Sequence, residues 1–272
     1  MRILLPHPVH LLRIVFTLPL LLSLCSILNG QDYSAYEKKI FVHEGDTLLY
    51  RIMWPEDMRN DKKYPLILFL HGMGERGSDN QLQLKLGGEL FMDSLIRKQY
   101  PAVVLFPQCP PDVMWTHRDK VWTDDMGWVL TYPVEAGPTK PAGLVNMLVD
   151  ELSGGGKIDT TRRYIMGLSM GGQGTLEFLY FWPGKYVAAE VICGGHNPEL
   201  TGAYCHTPVW FFHGGKDDVV PPRYSRAVYK KLKKCNRKTR YTLFPDANHN
   251  SWDATFAEPD LIKWLFQFST SE

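Results

Sequence analysis

The feature that most constrains this chain is a repeated alternation between short, almost wholly apolar runs and longer stretches of helical periodicity. Pro65–Leu70 (PLILFL) and Ala102–Phe106 (AVVLF) contain no charged residue and are bounded by turn-forming ones. Arg163–Met166, Val187–Cys193, Pro208–Phe212 and Arg240–Phe244 repeat the style. Between and after these runs, amphipathic periodicity predicts helices over Glu89–Arg97, Lys140–Leu152, Met170–Trp182, Arg223–Lys234 and Asp260–Phe268. Strands that are apolar on both faces and alternate with helices are buried on both sides, so the pattern predicts an α/β fold: a mostly parallel central sheet covered by helices on both faces. Ile40–Val42 and Leu48–Trp54 read as two further strands, joined by a hairpin turn at Glu44-Gly45-Asp46. No Ser/Gly/Pro-rich linker interrupts residues 31–272, which therefore read as one catalytic-sized domain. The stretch from Gln108 to Pro138 fits worst; it holds three tryptophans and little periodicity, as a functional loop does.

Composition narrows the function more than the fold. Thirty basic residues against 29 acidic give a formal net charge of +1, so no broad positive field exists to attract nucleic acid. Aromatics at 12% require burial and exclude disorder as the main theme. Residues 1–30 stand apart: Arg2 and Arg13 precede an apolar run from Ile14 to Ile27, and no acid occurs before Asp32. That order reads as a signal peptide ending near Asn29-Gly30, hence a secreted or periplasmic protein. The run is shorter than the ~20 residues that span a bilayer and contains Pro19, which argues against stable membrane insertion. Beyond it lie Cys109, Cys193, Cys205 and Cys235, whose spacing holds no CxxC pair; free thiols and each of three disulfide pairings are compatible with it.

One short segment carries chemistry. Gly167-Leu168-Ser169-Met170-Gly171-Gly172 follows a strand and opens a helix, the context in which flanking glycines let the backbone turn sharply and expose a serine. A serine hydroxyl is a weak nucleophile without a base that is itself oriented by a carboxylate. His249, in the loop after Arg240–Phe244, is the best base; Asp217 or Asp218, in the loop after Pro208–Phe212, supplies the acid. Leu70-His71-Gly72-Met73-Gly74-Glu75-Arg76-Gly77 follows the PLILFL strand and offers the Met73 N–H beside that of Met170 for a developing oxyanion. His71 and His213 read as packing residues. His196 and His206 lack acidic partners at ligand spacing, so no metal is called for.

HGMGERG, GLSMGG, HGGKDDVVP and the late HNSW together resemble the α/β-hydrolases, and within them the dienelactone-hydrolase, phospholipase/carboxylesterase and feruloyl-esterase-like group of secreted, prolyl-oligopeptidase-like serine esterases. The likeness runs from about Tyr64 to Phe268. It implies Ser169 as nucleophile, His249 as base, Asp217 rather than Asp218 as acid, and backbone donors at Met73 and Met170. It further implies a serine carboxylic-ester hydrolase that works through an acyl-enzyme with no cofactor. Because the base must be unprotonated, its rate should fall below about pH 6.5. The export signal makes a feruloyl or acetyl ester of polysaccharide the expected substrate, with Trp115 and Trp122 as substrate-stacking aromatics. A serine peptidase is the rival reading, disfavoured because the chain has no room for a propeller domain; a non-catalytic carbohydrate-binding relative is the other.

Overall fold

The computed structural model describes residues 31–125 and 127–270. The leader-like residues 1–30 lie outside the described residues. Ten strands are present among them: β1 (Glu37–His43), β2 (Asp46–Met53), β3 (Tyr64–Leu70), β4 (Val103–Pro107), β5 (Asp119–Thr123), β6 (Gly127–Thr131), β7 (Ile158–Leu168), β8 (Ala188–Ile192), β9 (Val209–Gly214) and β10 (Arg240–Phe244). Eight form one sheet in the order β1-β2-β4-β3-β7-β8-β9-β10. β1 pairs antiparallel with β2 and β2 with β4, and every later pairing is parallel. The β1–β2 turn lies where expected, with Glu44 at φ 49° and Gly45 at φ 87°, the left-handed pair that a two-residue hairpin requires.

The helices are α1 (Gly88–Met92), α2 (Ser94–Gln99), α3 (Lys140–Gly154), α4 (Met170–Phe181), α5 (Arg223–Cys235), α6 (Trp252–Phe256) and α7 (Leu261–Leu265). They cover both faces of the sheet, and the strand period of two sorts the core. Leu66, Leu68 and Leu70 join α3, α4 and α5 in one apolar layer, while Ile67 and Phe69 meet α1 and α7 in the other. None of the described helices is long and apolar enough to cross a membrane.

Three expectations are corrected. The single helix over Glu89–Arg97 is two, because the Asp93 carboxylate accepts from Leu95 N and Ile96 N and starts α2 afresh. The helix over Asp260–Phe268 shortens to Leu261–Leu265. Within Gln108–Pro138, β5 and β6 form a hairpin outside the main sheet. It was hidden because most of β5 is exposed, so no burial alternation marks it. Of the cysteines, Cys205 and Cys235 form a disulfide, while Cys109 and Cys193 are free and buried.

One residue in the core opposes its surroundings. Glu190 on β8 shares the face of Ala188 and Ile192, opposite Met166 and Trp210, at 0% exposure, and both carboxylate oxygens lack a partner. Burial pushes its carboxyl well above the usual range. The folded protein holds this proton and the unfolded chain releases it, so stability is lost as pH rises past the ordinary carboxylate value. Glu190→Met should therefore stabilise the fold by about 1–3 kcal/mol at pH 8, with a smaller gain at pH 5. Urea denaturation at the two pH values checks this; an equally or less stable variant at pH 8 would refute it.

Candidate active site

The site lies at the carboxyl ends of the parallel strands, where chain geometry concentrates loops. β7 turns into α4 through Ser169, which sits at φ 53°, ψ −117°, a conformation few residues adopt. The turn is held by Ser169 N–H donating to Ile192 O at 2.9 Å. Glycine is needed on both sides because the backbones nearly touch. A Cβ on Gly167 would lie 2.5 Å from Gly171 O, and one on Gly171 would overlap the carbonyl of Leu70. The serine hydroxyl is thus presented beyond the sheet by crowding beneath it.

β9 and β10 are parallel neighbours, so the loops leaving them run side by side. Gly215 N–H donates to Phe244 O at 2.8 Å and Lys216 N–H to Ala247 O at 3.0 Å. This stitching brings Asp217 from the first loop against His249 from the second. His249 Nδ1 lies 2.8 Å from Asp217 Oδ2, and His249 Nε2 lies 2.9 Å from Ser169 Oγ. With the ring proton on Nδ1, the imidazole donates to the carboxylate and accepts from the serine. Asp217 Oδ1 also accepts from the Val219 and Val220 N–H groups. Burial alone would raise this carboxyl, but hydrogen bonds from His213, His249 and Val220 outweigh it and hold the group well below the usual carboxylate range. Asp218, the other candidate, is exposed, and its N–H donates to Asn248 Oδ1. The structure therefore brings Asp217, and not Asp218, to His249.

Gly72, Met73, Ser169, Met170, His249 and Trp252 line one cavity of about 630 Å³. Met170 is the first residue of α4 and Met73 the first of a single 3-10 turn, Met73–Glu75. Backbone N–H groups at such starts have no partner within their own helix. The loop carrying Met73 is braced from below. His71 donates from Nδ1 to Gly72 O at 2.6 Å and accepts from Cys109 N–H at Nε2, at 2.9 Å. Burial lowers His71 to about 4, which keeps it a neutral strut. His213 is likewise enclosed, bonded to Val220 O and Ser225 Oγ.

Trp115 is not where the sequence reading put it. It is 0% exposed, its indole donates to His71 O at 3.1 Å, and its Cβ packs where Gly174 leaves room. A ring so enclosed cannot stack on a substrate; it supports the Met73 loop from behind. Trp122, on β5, is 59% exposed and lies outside the cavity lining, two residues beyond Lys120, which lines it. The irregular segment does border the site, through Arg118, Lys120 and Leu130.

Two groupings escaped sequence reasoning. Glu177, two turns along α4 from Ser169, is buried and accepts from Thr116 Oγ1 at 2.7 Å and pairs with His196 Nε2 at 2.8 Å. His196 in turn stacks on Tyr132. The i, i+4, i+8 spacing of Ser169, Gln173 and Glu177 was the available signal. Cys193 places its sulfur with ligand atoms of Asp217 and His249, all within 4.8 Å of one another. Burial raises the Cys193 thiol, and both partners are already engaged with each other, so the trio reads as the rear wall of the site rather than a metal seat.

Known proteins share this fold. The model of the phospholipase/carboxylesterase family matches residues 57–260. A solved thermostable esterase superposes with a TM-score of 0.78 and 33% identity, covering 88% of this chain and 64% of that one. A poly(3-hydroxyoctanoate) depolymerase from Pseudomonas fluorescens is 30% identical over 128 residues, 43% of this chain and 42% of the depolymerase. A bifunctional acetylxylan esterase/xylanase from Neocallimastix patriciarum is 31% identical over 114 residues, 39% of this chain and 17% of that protein. The aligned regions thus span less than half of either curated relative. With its mostly parallel sheet, the strand–serine–helix turn and a family match across most of its length, this α/β-hydrolase chain belongs to the phospholipase/carboxylesterase family.

Proposed function

We propose that this protein is a serine carboxylic-ester hydrolase acting through an acyl-enzyme on an extracellular ester. The observation that carries the reading is the unbroken hydrogen-bonded line Ser169–His249–Asp217 at the wall of a cavity that Met73 and Met170 also line. Ser169 Oγ attacks the ester carbonyl as its proton passes to His249 Nε2. The imidazolium formed is stabilised by Asp217, and the oxyanion by the Met73 and Met170 N–H groups. His249 then returns the proton to the departing alkoxide, the alcohol leaves, and Ser169 remains acylated. Water, deprotonated by His249, attacks the acyl carbonyl; the acid departs and Ser169 recovers its proton.

Extracellular action rests on the leader-like pattern of residues 1–30. The name of the acetylxylan esterase/xylanase relative supports an acetyl ester of polysaccharide as substrate, and the sequence resemblance adds a feruloyl ester. The test is direct: the purified protein should hydrolyse p-nitrophenyl acetate and methyl ferulate, be labelled at Ser169 by a fluorophosphonate, and leave the matched anilide of each acyl group essentially intact. Cleavage of the anilide at a comparable rate would transfer the protein to the peptidases, and absence of labelling would leave it a non-catalytic relative.

A further inference from the structure

The cavity over Ser169 is more positive than the protein around it. The chain as a whole is nearly neutral at +1, yet three cationic side chains, Lys85, Arg118 and Lys120, line this one cavity with a single carboxylate, Glu75. They arrive from separate places, Lys85 after the turn Leu82–Leu84 and the other two from the start of the β5–β6 hairpin. Glu75 is buried and burial raises its carboxyl, with Lys85 acting in the opposite direction. Arg118, just ahead of the exposed strand β5, is the half-buried cation of the hairpin. Its Nη1 lies 3.5 Å from Gln173 Oε1. Gln173 stands one helical turn after Ser169, a separation of about 6 Å between side-chain origins. The guanidinium thus lies beside the helix that Ser169 opens, in the cavity that Ser169, Leu130 and Trp252 also line.

We propose that this cavity selects esters bearing a carboxylate on the acyl or alcohol part, and that Arg118 reads that carboxylate. The inference rests on Ser169 being the nucleophile of the reaction above. A planar guanidinium fits a carboxylate with two parallel hydrogen bonds. The chemistry favours a monoanion, because Glu75 in the same cavity opposes a more highly charged group. The guanidinium contributes little to a neutral substrate, whereas a charge-assisted pair with a carboxylate in a cavity open to solvent corresponds to roughly a tenfold preference.

The experiment uses the whole protein and two matched pairs of esters. Acyl-side charge is read by p-nitrophenyl hydrogen glutarate against p-nitrophenyl pentanoate, and alcohol-side charge by p-acetoxybenzoate against p-acetoxybenzamide. At low ionic strength, kcat/KM for the anionic member of at least one pair should exceed that of its neutral partner by about tenfold, chiefly through KM, and the ratio should shrink as salt is added. Arg118→Gln should bring the ratio to near one and Arg118→Glu should invert it. A ratio of one in the wild-type protein, or one that neither substitution moves, overturns the proposal while Ser169-dependent hydrolysis of the neutral esters stands. Failure of the folded protein to hydrolyse any of the four would overturn the nucleophile assignment and this inference with it.

Discussion

Ser169→Ala should lower kcat for a p-nitrophenyl ester by about 10⁴–10⁶-fold while leaving the cooperative unfolding transition in place. The loss is large because no other described side chain occupies the position from which His249 Nε2 can draw a proton at 2.9 Å. On the proposed mechanism it is not total, because the N–H groups at the helix start Met170 and the turn Met73 would continue to polarise a bound carbonyl for attack by water. Folding should survive, since the Ser169 backbone is fixed by its own N–H to Ile192 O and by glycine contacts below it, none of which uses the hydroxyl. Steady-state rates on purified wild type and variant, with circular dichroism to confirm folding, decide it. Residual activity above about one part in a hundred would mean that hydrolysis runs through another group.

Asp217→Asn should cost about 10⁴-fold in kcat, and Asp218→Asn less than about twofold. Asp217 Oδ2 accepts the hydrogen bond from His249 Nδ1–H. An amide that turns its NH₂ toward Nδ1 would favour the opposite tautomer, whose Nε2–H faces Ser169 and cannot accept a proton from it. The Asp218 side chain is exposed and its backbone N–H donates to Asn248 Oδ1, so its charge contributes a solvent-screened term. The same substitution has a stability signature with a definite sign. Asp217 is held well below the usual carboxylate range in the folded protein, so its ionised form stabilises the fold above the unfolded value near 4 and that contribution is lost as the pH falls further. The wild type should therefore be more stable than Asp217→Asn at pH 7, with a gap that narrows toward pH 3. A gap that widens on acidification would contradict the hydrogen-bond arrangement.

How much of this was legible in the sequence follows from what the chain's local pattern encodes. β3, β4 and β9 were readable because burial on both faces leaves apolar runs that little else produces. Ser169 was readable because the crowded turn beneath it tolerates only glycine at Gly167 and Gly171. The choice between Asp217 and Asp218 was not settled by residue types alone, since adjacent acids in a loop differ only in which way the backbone aims them; the family likeness pointed to Asp217. The β5–β6 hairpin was illegible because an exposed strand pair carries no apolar period. Trp115 was misplaced for a related reason. A tryptophan in an aperiodic segment looks available, and only the space left by Gly174 and the acceptor at His71 O show that it is enclosed. Glu177 and His196 lie 19 positions apart, and nothing local predicts that they meet.

The hairpin has an evolutionary consequence that the eight-stranded sheet does not share. Among the described residues β5 and β6 form a two-stranded sheet of their own, and the contacts that attach the segment include Thr116 to Glu177, Arg118 to Gln173, and Tyr224 OH receiving the Leu130 N–H. A lineage can lengthen, shorten or exchange such a ribbon without shifting the register of any strand that holds Ser169, Asp217 or His249. On the proposed mechanism, reactivity would belong to the frame and choice of substrate to the ribbon laid over it.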